Sequence, residues 1–276
     1  MKHYILRYGE IFLKGKNRYE FVRKLAKNIQ SCLKREKIEG KLEKVGARFL
    51  LEAAKEPPLR RVFGLISYSE CVKVRAKQED IEKEVLKIAK KLKKGTKFRI
   101  STQKSSKSFS SMELNQKLGE AVVNAYGLPV DLKNFDVDIG IDILGDRAYV
   151  FSETKKCLGG LPLGSEGSLA ALIDDKNSIL AALLIMRRGC AVFPFAFKKQ
   201  DISLLEKYSY GQRIELRIVK DISELNEIIK EYSLKALVTG QGLEGKELEI
   251  EVPELRPLLA FSESKLAEMS VLFDRR

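Results

Sequence analysis

Residues 168–180 read SLAALIDDKNSIL: a short apolar run, a polar turn through Asp174, Asp175, Lys176, Asn177 and Ser178, and the apolar start of a helix. The rhythm continues beyond it. NSILAALLIMRRG (177–189), CAVFPFAF (190–197), DISLLEKYS (201–209), RIELRIV (213–219), ISELNEIIKEYS (222–233) and KALVTG (235–240) alternate helix and strand character. Such alternation calls for a parallel sheet covered by helices, an α/β fold. Ligands of these sheets sit beyond the carboxyl ends of the strands, where a strand turns into its helix. Ile173–Ser178 occupies that turn, with two aspartates where nucleotide enzymes commonly keep glycines.

Charge is unevenly placed along the chain. Residues 1–110 carry 30 Lys+Arg against 12 Asp+Glu, a net of +18, while residues 111–276 carry 21 against 26, a net of −5. Lys and Glu enrichment with little Asn, Gln or His also marks heat-adapted proteins, but that cause predicts a balanced surface. The bias therefore points to an anionic partner, nucleic acid above all. His3 is the only histidine, and Cys32, Cys71, Cys157 and Cys190 lie 33 to 86 residues apart. No metal spacing or C-x-x-C pair results, and the cysteines read as buried thiols. The apolar stretch 178–186 is shorter than the roughly 20 residues of a membrane span. MKHYILRYGE holds no secretion-signal core, so the cytoplasm is the expected location, without membrane contact.

The N-terminal part reads as α+β. Tyr4–Arg7 forms a weak strand, and GEIFLKGKNR (9–18) is a basic turn into a helix with Phe21, Leu25, Ile29 and Leu33 on one face. A strand at Arg48–Ala53, a short helix near Pro57-Pro58 and a strand at Cys71–Val74 follow. The β-α-β-β-α-β order suggests a ferredoxin-like domain with one strand unplaced. Next come a helix over Asp80–Lys94 closed by Gly95, a strand FRISTQ (98–103), a polar loop KSSKSFSS (104–111) and a helix 112–126 closed by Gly127. DVDIGIDILGDRAYVFSE (136–153) is a hairpin about Gly145-Asp146, and the glycine-rich CLGGLPLGSEGS (157–168) is a linker or a loop of close backbone approach.

Three stretches taken together, YGEIFLKGKNRYEF (8–21), FRISTQKSSKSFSSMELNQKLGEAV (98–122) and CLGGLPLGSEGSLAAL (157–172), resemble the tRNA 4-thiouridine synthase (ThiI, tRNA sulfurtransferase) family. Patchier likeness follows in LLIMRRGCAV (183–192), ALVTGQGL (236–243) and LRPLLAFSESKLAEM (255–269). The resemblance implies a ferredoxin-like domain at 1–75, a THUMP RNA-binding domain at 76–163 and a shortened PP-loop domain, Rossmann-like, at 164–276. In that family ATP with magnesium activates a tRNA uridine at the oxygen of C4, and persulfide sulfur then displaces AMP. The phosphates rest on a Ser-Gly-Gly-x-Asp-Ser loop, whose equivalents here are Ile173, Asp174, Asp175, Lys176, Asn177 and Ser178. Only the last serine is kept.

Glycines serve such a loop because backbone N–H groups then approach phosphate closely at a helix N-terminus. Aspartates add bulk and negative charge there. Two like charges about 4 Å apart at an effective dielectric near 20 repel by roughly 4 kcal/mol, about a thousandfold in affinity. The turn is expected to be a helix cap in place of a nucleotide loop, with Lys176 softening the repulsion. A remodelled site in which Asp174 and Asp175 hold magnesium for ATP is the other reading. The Ala-Ser-Gln-Thr segment of the family is replaced by EGKELEIEV (244–252), the later cysteines of longer relatives are missing, and no persulfide residue transfers.

What the resemblance leaves intact is the RNA-binding half, implying contact with the acceptor end of tRNA. Lys14, Lys16 and Arg18 crowd one loop. Gln103, Lys104 and Lys107 mark another, where Phe109 either stacks on a base or belongs to the core. The leading expectation is a tRNA-binding relative without ATP chemistry of its own. An active sulfurtransferase with a divergent ATP site and an outside sulfur donor, and a scaffold for an active modifying enzyme, are the alternatives. Pairing into a homodimer is compatible with all three.

Overall fold

The computed structural model describes residues 1–104, 110–245 and 247–274. Strand β1 (Lys2–Tyr8) runs through a 3-10 segment, Glu10–Asn17, into helix α1 (Arg18–Arg35). Then come β2 (Gly40–Val45), β3 (Arg48–Ala53), β4 (Leu65–Arg75), α2 (Gln78–Ala89), β5 (Phe98–Lys104), α3 (Ser111–Tyr126), β6 (Val137–Leu144), β7 (Arg147–Phe151) and β8 (Lys155–Lys156). The C-terminal part is β9 (Ser168–Leu172), α4 (Lys176–Arg187), β10 (Ala191–Ala196), α5 (Ser203–Tyr208), β11 (Arg217–Ile218), α6 (Ile222–Glu231), β12 (Leu237–Val238), β13 (Glu254–Leu255) and α7 (Glu263–Asp274). Among the described residues no helix is long and apolar enough to cross a membrane.

The chain divides into two compact units, neither continuous in sequence. The first comprises Met1–Arg7, Ile38–Pro57 and Ser67–Lys156. Its sheet has the order β2-β3-β1-β4-β7-β6-β5, with β8 pairing to β4. The β2–β3, β3–β1, β4–β8, β4–β7 and β7–β6 pairs are antiparallel, whereas a crossover through α3 makes β5 and β6 parallel. Alternate residues of β6, Ile139, Ile141 and Ile143, join Ile81 and Val85 of α2 and Leu114, Leu118 and Val122 of α3 in one buried cluster. The β6–β7 hairpin turns at Gly145, whose φ of 62° suits glycine.

The second unit comprises Tyr8–Lys37, Pro58–Ile66 and Cys157–Arg276. Its sheet is wholly parallel, in the order β11-β10-β9-β12-β13. Strand β9 is covered on both sides, which is why SLAALI is continuously apolar rather than alternating. Leu169, Ala171 and Ile173 pack with α4, Leu205 and Phe273. Ala170 and Leu172 pack with Phe195 and with Leu225, Ile228 and Ile229 of α6. The first helix of the chain is anchored in this unit. Asn28 Nδ2 donates to the Leu163 carbonyl (3.1 Å), Gly211 N to Ser31 Oγ (3.1 Å), and Tyr210 OH to Glu36 (2.7 Å).

Some sequence expectations need correction. The expected helix 80–94 ends at Ala89, because i→i−3 bonds from Lys91 and Leu92 tighten its end and fold Leu92 back toward the core. Strand β4 begins at Leu65, six residues ahead of the apolar signal at Cys71. RIELRIV supplies a strand only at Arg217–Ile218. The unplaced strand is β2, GKLEKV, an edge strand without a buried face and so without alternation. Helix α7 and strand β13 were not expected at all.

The glycine-rich stretch is a close-approach loop and not a free linker. Gly64 N donates to the Gly159 carbonyl (2.9 Å) and Gly159 N to the Leu65 carbonyl (2.8 Å). Gly160 has φ 78°, and a Cβ there would overlap the Arg187 carbonyl oxygen. Gly160→Ala should therefore lose about 2–4 kcal/mol from combined strain and overpacking. Gly95→Ala, with φ 87° but open space, should lose about 1–2 kcal/mol. Urea unfolding of both variants checks the ordering.

Candidate nucleic-acid interface and the capped turn

The basic loop of the second unit is built on the 3-10 segment, kinked at Gly15 where φ is 51°. Acidic side chains fix it. Glu10 accepts from Gly160 N (3.0 Å) and from Arg188 Nη1 (2.9 Å). Lys14 pairs with Glu166 (2.6 Å) and lies 4.7 Å from the Phe21 ring centre. Its charge is already compensated within the chain. Arg18 stacks on Phe12 at 4.3 Å, which leaves guanidinium edges for an acceptor, and Lys16 is exposed. Leu13 and Tyr19 beside them are 85% and 73% exposed. Sequence reasoning missed Tyr19, although Phe12 and Tyr19 interleave with the cations in the pattern expected of a base-stacking surface.

The other loop begins in the first unit at the end of β5. Gln103 accepts from Arg48 Nη2 (2.6 Å), and Lys104 is exposed. Lys107 and Phe109 lie outside the described residues. Arg48 also reaches Asp142 Oδ2 (3.3 Å), which Arg7 approaches at 3.4 Å. Arg7 further donates to Ser69 Oγ (3.1 Å) and lies 4.6 Å from the Phe151 ring centre. Burial pushes the Arg7 pKa below its ordinary value, and the Asp142 charge opposes that shift. Asp142 is buried between the two guanidiniums, an arrangement costly to break on one side. It fixes the start of the loop through Arg48.

At the turn after β9 the turn itself takes the N–H groups of Asp174, Asp175 and Ser178. Asp175 is the N-cap of α4, its Oδ1 accepting from Ser178 N at 2.8 Å. Ser178 Oγ accepts from Asp174 N and Asp175 N, each at 3.0 Å, and donates to the Asp175 carbonyl at 2.7 Å. The reciprocal pair is a capping box with a serine at its third helical position. Ser178 is buried, while Asp174, Asp175, Lys176 and Asn177 are exposed. Gly240, beyond β12, packs so tightly that a Cβ would overlap Asn177 and Ser178 backbone atoms. A polyphosphate here would meet two carboxylates and three N–H groups already bonded, those of Asp174, Asp175 and Ser178, so these residues fit ATP phosphates poorly. Among the described residues no group of three His, Cys, Asp or Glu side chains stands ready for a metal.

Burial pushes the thiols of Cys32, Cys71 and Cys157 up to about 12, and that of Cys190 in the same direction.

Comparison with known proteins agrees with this architecture. Residues 3–69 match the ThiI ferredoxin-like domain model, and residues 75–153 match the THUMP domain model. The crystal structure of PH1313 from Pyrococcus horikoshii superposes with a TM-score of 0.87 at 31% identity, covering 98% of this chain and 99% of that one. A tRNA sulfurtransferase of Thermoplasma volcanium is 38% identical over 199 residues, 70% of this chain and 42% of its own length. The chain belongs to the tRNA 4-thiouridine synthase (ThiI) family. A probable tRNA sulfurtransferase of Methanocaldococcus jannaschii is 35% identical over 255 residues, 82% of this chain and 66% of that protein. This ThiI-family chain thus spans about two-fifths to two-thirds of the length of those two curated relatives. Its fold is also that of a 4-thiouridine synthetase solved with RNA and ATP, with a TM-score of 0.82 at 23% identity over 99% of this chain and 85% of that one.

The cap has a measurable share in stability. Asp175→Ala should lose about 1 kcal/mol, within the 0.5–2 kcal/mol range of N-cap removals. Asp174→Ala should stay within about 0.5 kcal/mol of wild type. Chemical denaturation of the two variants separates the capping aspartate from its neighbour.

Proposed function

We propose that this chain binds tRNA at its acceptor end through its ferredoxin-like and THUMP domains and does not itself activate uridine with ATP. The observation that carries the second half is the Asp175 carboxylate on Ser178 N, at the place where the family rests its phosphates. The first half is supported by the +18 net charge of residues 1–110 and by the RNA bound to the 4-thiouridine synthetase of the same fold. Lys16, Arg18 and Lys104 are the exposed or stacked cations proposed to meet phosphates, with Tyr19 stacking on an unpaired base.

An active sulfurtransferase is the second reading, favoured by the activity named for the curated relatives. It requires ATP and magnesium at Asp174 and Asp175, and sulfur from another protein.

Filter binding of unmodified tRNA over a range of salt concentrations tests the proposal. Replacing Lys14, Lys16 and Arg18 together by alanine should weaken binding and reduce the log–log salt slope by about two, one unit for each phosphate that Lys16 and Arg18 would otherwise neutralise. Unchanged affinity and slope would remove the basic loop from the interface. Formation of 4-thiouridine by this chain with ATP and a sulfur donor would overturn the claim of lost activation.

A further inference from the structure

The second unit gathers cations that its own carboxylates only partly match. Residues 157–276 carry 16 Lys+Arg against 18 Asp+Glu, so no general basic surface is expected of them. Lys207 and Arg213 of that stretch nevertheless meet Arg35, at the end of α1, and Arg61 around one open cavity of about 890 Å³. Every residue lining it belongs to the second unit. Cations held together in a concavity raise the local concentration of an anion.

Their pairing within the chain is incomplete. Arg35 Nη1 donates to Ser209 Oγ at 2.9 Å, and the guanidinium lies 3.9 Å from the Tyr210 ring centre. Both contacts hold the fork in place and leave N–H groups for an acceptor. Arg213 pairs with Glu215, which is outside the lining. Arg61 and Lys207 have no salt-bridge partner among the described residues. Of the two carboxylates in the lining, Glu36 already accepts from Tyr210 OH at 2.7 Å, and Glu206 is exposed. Ser31 Oγ accepts from Gly211 N at 3.1 Å, which leaves its own proton to donate. A Cβ at Gly211 would overlap Asn28 Oδ1, so the loop carrying Arg213 is pressed against α1.

We propose that this cavity binds a small phosphomonoester, an inference independent of the tRNA-binding reading. Such a group carries roughly −1.5 to −2 charge at pH 7 and three strong acceptor oxygens. Guanidinium forks, an ammonium and a hydroxyl proton are the donors that suit it. The volume lies in the range of roughly 300–1,000 Å³ that holds small organic molecules, so the ligand brings an organic remainder beside its phosphate. Glu36 and Glu206 limit the charge the cavity accepts. A polyphosphate would be set against both carboxylates, whereas one terminal phosphate can keep to the cations. A carboxylate ligand would leave more of the cations unmatched. The α4 turn contributes nothing to the lining beyond the chain it shares, since no residue from 173 to 178 reaches this cavity.

Amide correlation spectra of the full chain, titrated with ribose 5-phosphate, with ribose and with sulfate, test the proposal. Ribose 5-phosphate should shift the Gly211 and Arg213 amides saturably, with a dissociation constant of about 1 mM or lower. The Asp175 and Ser178 amides should stay in place. Ribose should shift none of them, and sulfate should bind about tenfold more weakly, because it lacks the organic remainder. Arg61→Gln and Lys207→Gln should each weaken ribose 5-phosphate binding about tenfold, and the double variant about a hundredfold. Neither side chain has an ion-pair partner to lose, so each variant should melt within about 2 °C of wild type, which separates lost binding from lost folding. No saturable shift at Gly211 in wild type, or unchanged binding in the double variant, overturns the proposal. Equal affinity for sulfate and ribose 5-phosphate reduces the cavity to a general anion site and overturns it too. A double variant that loses tRNA affinity, beside a wild type that ignores ribose 5-phosphate, gives these cations to RNA instead.

Discussion

A single hydrogen bond, from Ser178 N to the Asp175 carboxylate, governs what the parallel-sheet unit can do. A helix N-terminus beyond a parallel strand offers unpaired N–H groups and partial positive charge, and the usual occupant is an anion brought by a ligand. Here the chain supplies the anion itself. Ser178 Oγ then takes the two preceding amides, and Gly240 closes against the same backbone. Capping thus takes three of the N–H groups at this turn.

That unit nevertheless has structural work to do. Helix α1 follows the first strand of the ferredoxin-like region, and its buried Asn28 and its Ser31 and Glu36 bond to residues 163 and 210–211. The basic 3-10 segment leading into α1 is held by Gly160, Glu166 and Arg188. Loss of the parallel-sheet region would therefore release the cations proposed to meet RNA. The parallel-sheet region thus has a role in positioning them whether or not it takes a nucleotide.

Most of the fold was legible because burial leaves a period in the sequence. The α6 helix and the β6–β7 hairpin carry it, while β9, covered on both faces, shows instead as an unbroken apolar run. Strand β2 was not legible, since an exposed Lys/Glu edge strand has no buried face to alternate. The site was readable only in part. The aspartate pair reads as a cap by its place before an apolar helix, and the structure gives that role to Asp175. The arginine pair around Asp142 was hidden, because Arg7 and Arg48 lie 135 and 94 residues from it. Its only trace is a second aspartate, after Asp138, inside the mostly apolar strand β6. The pairing of Lys14 with Glu166, 152 residues away, likewise withdrew one cation from the expected phosphate partners, and charge counting could not distinguish it from its neighbours.

The central claim is that the α4 N-terminus no longer receives phosphate. Titration calorimetry of ATP with magnesium, on wild type and on the Asp174→Gly/Asp175→Gly double variant, addresses it directly. The account predicts no detectable ATP binding by wild type and a weak but measurable gain in the variant, where the amides are freed and two charges removed. Micromolar ATP affinity in wild type would contradict it and make the aspartates part of a working nucleotide site.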